Sequence, residues 1–182
     1  MRGRRLELWG ALALLLYALH AANHIRRGEV HDLLWVCNVA PLILGIGCLA
    51  RSAIGVAIPL LWLSFGTPLW LLDVLTGGEL IVTAIFTHVG GLAISALAVR
   101  TLGMPSGAWY KAAGALGILV GLSRVLTPRQ YNVNVSFSVW AGWQAYFPSH
   151  VAYLGLLLAI STSVFFVVER LLVRFTSVSE AR

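Results

Sequence analysis

Charge is scarce in this chain. Only 11% of its 182 residues are Asp, Glu, Lys or Arg, against about 25% in an ordinary soluble domain. Cysteine occurs twice and lysine once, so twelve of the thirteen basic residues are arginine. Two cysteines make neither a disulfide framework nor a CxxC or metal-knuckle pattern. On a shared helix, Cys37 and Cys48 would lie about 16 Å apart along the axis, beyond the roughly 7 Å Cα reach of a disulfide. The arginines stand singly or in small groups at the ends of apolar runs. That distribution marks topology signals and interfacial anchors, so the net charge of +6 is not a nucleic-acid footprint. Together these shortages exclude a secreted disulfide scaffold, a disordered tail and a soluble dinucleotide-binding enzyme.

What fills the chain is apolar: 59% of residues are hydrophobic and the mean hydropathy is +0.85. A helix needs about 20 mainly apolar residues to cross roughly 30 Å of hydrocarbon. Six stretches qualify: 6–22, 33–50, 54–72, 80–99, 108–126 and 151–168. The runs are too long for barrel strands and lack their alternation. The expected fold is therefore all-α, one integral membrane domain over residues 1–182, a bundle of six transmembrane helices. Arg2, Arg4 and Arg5 precede the first stretch in the manner of a signal peptide, but no clean small-residue cleavage site follows, so it is expected to be a retained helix. Pro41, Pro59 and Pro68 predict kinks in the second and third spans. Gly90, Gly91, Gly114, Gly117 and Gly121 offer small faces for close helix packing.

With the N-terminus inside, nine basic residues fall on the cytoplasmic side and four outside, which predicts both termini cytoplasmic. The stretch 127–150 then lies outside as a surface-lying or re-entrant lid, carrying Trp140, Trp143, Tyr146 and Phe147 in the manner of an interfacial aromatic belt. The same orientation puts all five histidines in the outer half. Cys37, about 8 Å below the surface, and His88, about 12 Å, are at depths where neighbouring helices would let them meet.

Ionisable groups inside a membrane are functional candidates by default. A buried Cys is also an ordinary packing residue, and a lone His88 is accounted for by a hydrogen bond to a neighbouring helix. The pair is more specific than either residue. An imidazole beside a thiol takes its proton and returns it to a leaving group, which is the chemistry of acyl transfer through a thioester. Asn38, Asn132 and Asn134 are candidate oxyanion donors or pocket residues. His20 and His24, at i and i+4, share a helix face at a metal-capable spacing. Two ligands are too few, and Glu29 and Asp32 have no fixed position, so neither metal nor cofactor is expected.

Three segments carry a resemblance: VCNVAPLI, with Cys-Asn early in one apolar helix; FTHVGGLAISAL, two helices later; and YNVNVSF before the last helix. In this order they resemble the YwaF-type bacterial integral membrane family. That family resembles in turn the eukaryotic transmembrane acyltransferase acting on ether phospholipids and, more distantly, the androgen-induced FAHFA hydrolases. The resemblance implies Cys37 as nucleophile, His88 as base, and Tyr131 with Asn132 lining the pocket. It implies membrane lipids or fatty-acyl esters as substrates and no nucleic-acid partner. The chain has six candidate spans where such relatives often have one more.

The expectation is a lipid-active acyl hydrolase or acyltransferase in a bacterial cytoplasmic membrane, its Cys–His pair opening to the outer leaflet. The alternatives are a small transporter or lipid- or partner-binding membrane module, and a metal or haem site built from His20, His24 and His88.

Overall fold

The computed structural model of the chain describes residues 2–180, with side chains described for 3–174. Within these bounds the protein is all-helical and contains no strand. Its principal helices are α1 (Arg2–Arg27), α2 (Val36–Leu49), α3 (Ala53–Leu75), α4 (Val82–Leu102), α5 (Ala108–Leu126) and α6 (His150–Glu180). Helix α4 passes through one π-helical turn at Phe86–Gly90. Short 3-10 turns lie at Val30–Leu34, Arg129–Tyr131 and Val133–Val135.

Among the described residues four helical segments are long and apolar enough to cross a membrane: Gly3–Arg27, Ala53–Leu75, Val82–Leu102 and His150–Arg174. Helix α2 falls short of the expected span. Its 14 residues cover about 21 Å, less than the roughly 30 Å hydrocarbon layer. Leu33 and Leu34 leave it for the preceding 3-10 turn, and Trp35 adopts an extended conformation before the helix begins. The reason is a cap from afar: Asn134 Oδ1 accepts a hydrogen bond from the Val36 N–H at 2.9 Å, fixing the first helical turn there. Helix α5 keeps the expected bounds, but Lys111 and Arg124 dilute its apolar run.

Helix α3 is the hub, packing against α2, α4, α5 and α6, while α1 lies against α2 and α4. The core runs from Leu44 on α2 through Val56, Leu61 and Leu63 on α3 to Ile94 on α4 and Phe165 on α6. Pro41, Pro59 and Pro68 all lie within helices that continue past them. The small-residue packing meets expectation in part: a Cβ on Gly90 or Gly91 would meet Leu16 or Leu63 at 3.0 Å. A Cβ on Gly114, Gly117 or Gly121 would meet nothing within 4 Å, so these glycines do not hold helices together. The close approach is between α2 and α3, where a Cβ on Gly47 would sit 2.6 Å from the Gly55 carbonyl oxygen.

On the outside of the bundle large apolar side chains face outward, Leu75 at 74% and Val125 at 80% exposure, as a lipid-facing surface requires. Among the described residues one carboxylate is buried inside it. Glu169 on α6 accepts hydrogen bonds from the N–H groups of Gly107 (2.9 Å) and Trp109 (2.7 Å). It satisfies the unpaired donors at the start of α5 and places negative charge at the positive end of that helix dipole.

Candidate functional site

The site begins with how α1 ends. Gly28 takes φ +76°, the left-handed conformation that closes helices without a Cβ penalty. The Glu29 N–H donates to the His24 carbonyl (2.9 Å) and the Gly28 N–H to that of Ile25 (3.1 Å), which is a Schellman closure. This reversal carries the Glu29 side chain back to His24, whose Nδ1 lies 3.1 Å from Glu29 Oε2. Arg27 Nε donates to the same oxygen at 2.8 Å. Its guanidinium also forks onto Glu79, at 2.9 and 2.6 Å, tying the end of α1 to the chain leading into α4. The Arg27 hydrogen bond, before all other causes, holds the Glu29 carboxyl below the usual range.

Behind Glu29 the histidines form a buried chain. His20 and His24 are 1% and 3% exposed. Their Nε2 atoms lie 3.1 Å apart, with perpendicular rings and centroids 4.5 Å apart. His20 Nδ1 meets Thr83 Oγ1 of α4 at 2.8 Å, and His20 Nε2 meets Asn38 Oδ1 of α2 at 3.0 Å. Asn38 Nδ2 donates to the Asp32 carbonyl at 2.9 Å, which aims its oxygen at the imidazole. Ligand atoms of His24, Glu29 and Asp32 also lie within 4.8 Å of one another. Residues without mutual constraint along the sequence are thus brought together. The local signal was present in HAANHIRRGE, where the i, i+4 pair runs into a glycine helix stop and an acid.

Cys37 and His88 face the same cavity from α2 and α4. The Cys37 Sγ sits in a notch on α3 left by Gly66, which has no space for a Cβ. His88 lies in the π turn, where its ring stacks on Trp70 of α3 at 4.5 Å and 18°. Its Nδ1 is 2.9 Å from the Ala84 carbonyl. A carbonyl can only accept, so Nδ1 carries the hydrogen and the neutral ring leaves its lone pair on Nε2. Among the described residues no hydrogen bond joins Cys37 to His88 and none engages His88 Nε2. π turns are frequent where a helix presents a functional side chain.

The cavity has a volume of about 610 Å³, within the range of small-molecule sites. Its wall is mostly apolar and aromatic, with Phe65, Trp70 and Tyr153 on the helices and Trp140, Trp143 and Phe147 on the 127–150 segment. Its polar lining includes His20, His24, Asn38, His88, Asp32 and Glu79, with Ser161 on α6.

The other residues singled out from sequence take different places. Asn134 reaches the cavity wall, but its amide is committed: besides capping Val36, Nδ2 donates to the Leu34 carbonyl (2.7 Å) and Ser123 Oγ (2.9 Å). Both of its amide hydrogens are used, whereas Asn38 uses one of two on Asp32. Asn132 folds its own loop, accepting from the N–H groups of Phe137 and Ser138 and donating to the Ser138 carbonyl. Tyr131 stacks on His31 with centroids 3.2 Å apart. Neither Tyr131 nor Asn132 is among the residues lining the cavity.

Fold and site together define a helical protein with four helices long and apolar enough to cross a membrane and a cavity lined by both aromatic and ionisable side chains. Compared with protein-family models, curated proteins and solved structures, the chain matches none.

Proposed function

We propose that the protein is a membrane-embedded acyl hydrolase or acyltransferase acting on membrane lipids or fatty-acyl esters, with Cys37 as nucleophile and His88 as general base. The observation that carries this reading is His88: an imidazole whose protonated Nδ1 is pinned, whose Nε2 lone pair is unengaged, and which shares a cavity with a thiol. A cavity walled mostly by apolar and aromatic side chains, with ionisable groups among them, suits an ester whose acyl chain lies among the aromatic rings. The segments VCNVAPLI and FTHVGGLAISAL, in their resemblance to the YwaF-type family, assign the same two residues.

The chemistry balances within the site. The Cys37 sulfur turns out of the Gly66 notch and attacks the ester carbonyl carbon while its proton passes to His88 Nε2. A C–S bond forms, the carbonyl becomes an oxyanion, and the remaining Asn38 Nδ2–H is the available amide donor to it. Collapse breaks the ester C–O bond and His88 returns the proton to the leaving alkoxide. Water, or the hydroxyl of a second lipid, then attacks the thioester. The proton it gives up to His88 ends on the departing sulfur. We place the cavity mouth toward the outer leaflet of a bacterial cytoplasmic membrane, with all six helices embedded and both termini cytoplasmic.

The test uses an alkyne-tagged long-chain phospholipid and full-length protein in detergent. Hydroxylamine-sensitive labelling is expected on wild-type protein and absent from Cys37→Ala and His88→Gln, each eluting as a monodisperse species. Labelling of Cys37→Ala equal to wild type, or no labelling of wild type, overturns the proposal and favours a lipid-binding or transport module.

A further inference from the structure

The histidine pair is not used by the acyl-transfer reading, and its geometry has its own meaning. Three atoms of metal-ligating type lie together: His20 Nε2 and His24 Nε2 at 3.1 Å, and Asn38 Oδ1 at 3.0 Å from His20 Nε2, whose hydrogen they share until an ion displaces it. Each is oriented by a hydrogen bond on its far side. Glu29 Oε2 accepts from His24 Nδ1, Thr83 Oγ1 meets His20 Nδ1, and the Asp32 carbonyl holds the Asn38 amide. Metal-ligating histidines have this arrangement, the other ring nitrogen donating to a carboxylate or another oxygen that fixes tautomer and orientation.

The ring centroids lie closer together than a linear shared hydrogen bond would hold them. Two imidazoles bound to one ion at about 2.05 Å per bond, with their nitrogens at the observed spacing, would have centroids about 4.8 Å apart. A linear N–H···N bond of the same nitrogen spacing would separate them by about 5.4 Å. The observed separation is 4.5 Å, with the rings perpendicular. That separation requires at least one ring to be turned off the line joining the nitrogens.

We infer that His20, His24 and Asn38 form a binding site for one first-row divalent cation of the Zn²⁺ class, its remaining coordination position open to the cavity. Borderline-soft imidazole nitrogens select such an ion over Mg²⁺ or Ca²⁺, which prefer oxygen. Glu29, on the far side of His24, offsets the charge of a buried dication. Three protein ligands and one open position are the pattern of catalytic rather than structural zinc. An alternative set, His24 with Glu29 and Asp32, has its ligand atoms within 4.8 Å of one another. Its Glu29, however, is already claimed by Arg27. The site does not depend on Cys37 acting as a nucleophile.

The experiment is metal analysis of the full chain in detergent, followed by chelator stripping and titration with Co²⁺, read by its visible absorption. Wild type is expected to carry one equivalent and to regain it. His20→Gln should weaken Co²⁺ binding more than about ten-fold, whereas Asp32→Asn should bind as wild type, since Asn38 uses only the Asp32 backbone. Absence of a stoichiometric ion overturns the inference. So does a reversed pattern, with Asp32→Asn losing the ion and His20→Gln keeping it. If His20→Gln fails to fold, X-ray absorption of Zn²⁺-loaded wild type decides: two imidazole shells at about 2.0–2.1 Å support the site, and a shell with fewer than two imidazoles refutes it. Cys37→Ala separates the two proposals, because it should lose acyl labelling and keep the ion.

Discussion

Asn134 offers the sharpest test of how the site is held. It is 5% exposed and joins its own loop to two other parts of the chain: the entry to α2, through Leu34 and Val36, and α5, through Ser123. Asn134→Leu keeps the branched shape of the side chain, removes all three hydrogen bonds and adds the strain of a Leu at φ +52°. Ser123 retains its bond to the Leu119 carbonyl, so its hydroxyl is not orphaned. The Val36 N–H and the Leu34 carbonyl are. Each buried backbone group left unpaired costs about 1–3 kcal/mol. Allowing for their partial burial, the expected loss is about 2–4 kcal/mol, measured by equilibrium unfolding in mixed detergent–SDS micelles. Ser123→Ala, which removes one of Asn134's three bonds, should cost about 1 kcal/mol. Because the Val36 N–H opens the helix that carries Cys37, Asn134→Leu should also speed alkylation of Cys37 by a membrane-permeant maleimide. A variant within about 0.5 kcal/mol of wild type, with Cys37 equally protected, would refute the clamp and return Asn134 to a direct role toward substrate.

Two further outcomes are expected. Gly47→Ala places its methyl against the Gly55 backbone, which cannot rotate away as a side chain would, so it should cost about 1–3 kcal/mol by the same unfolding assay; Gly117→Ala, which meets open space, should be neutral or slightly stabilising. Glu29 has a depressed carboxyl pKa owing first to Arg27. Its contribution to stability is therefore fully present above the ordinary glutamate value of 4.5 and lost as pH falls through the lower folded value. The stability gap between wild type and Glu29→Gln should close on acidification; a gap that widens would contradict the assigned ion pair.

The all-helical, membrane-type architecture was legible in the sequence because hydropathy adds up locally. A run such as 54–72 is apolar whatever surrounds it, and α3 contains it and is long and apolar enough to cross a membrane. Cys37, Asn38 and His88 were legible as candidates for the same reason: polar atoms in apolar runs stand out. Helix α2 was misjudged because a hydropathy window cannot register a cap supplied from about 100 residues away, by Asn134. The Gly114, Gly117 and Gly121 stripe failed for a related reason, since a small face packs only if a partner lies over it, and none does.

Sequence alone determined the composition that lipid tolerates, the helical segments and the i, i+4 spacing of His20 and His24. Tertiary structure decided how each helix is turned about its axis and which partner it faces. Each residue step rotates a side chain by about 100°, so a small change in helix rotation would point His20 away from Thr83 and Asn38, or Cys37 away from the Gly66 notch. That rotation is set by packing around α3 and by the hydrogen bonds of Asn38, Asn134 and Glu29, all of them contacts between residues that no local pattern relates.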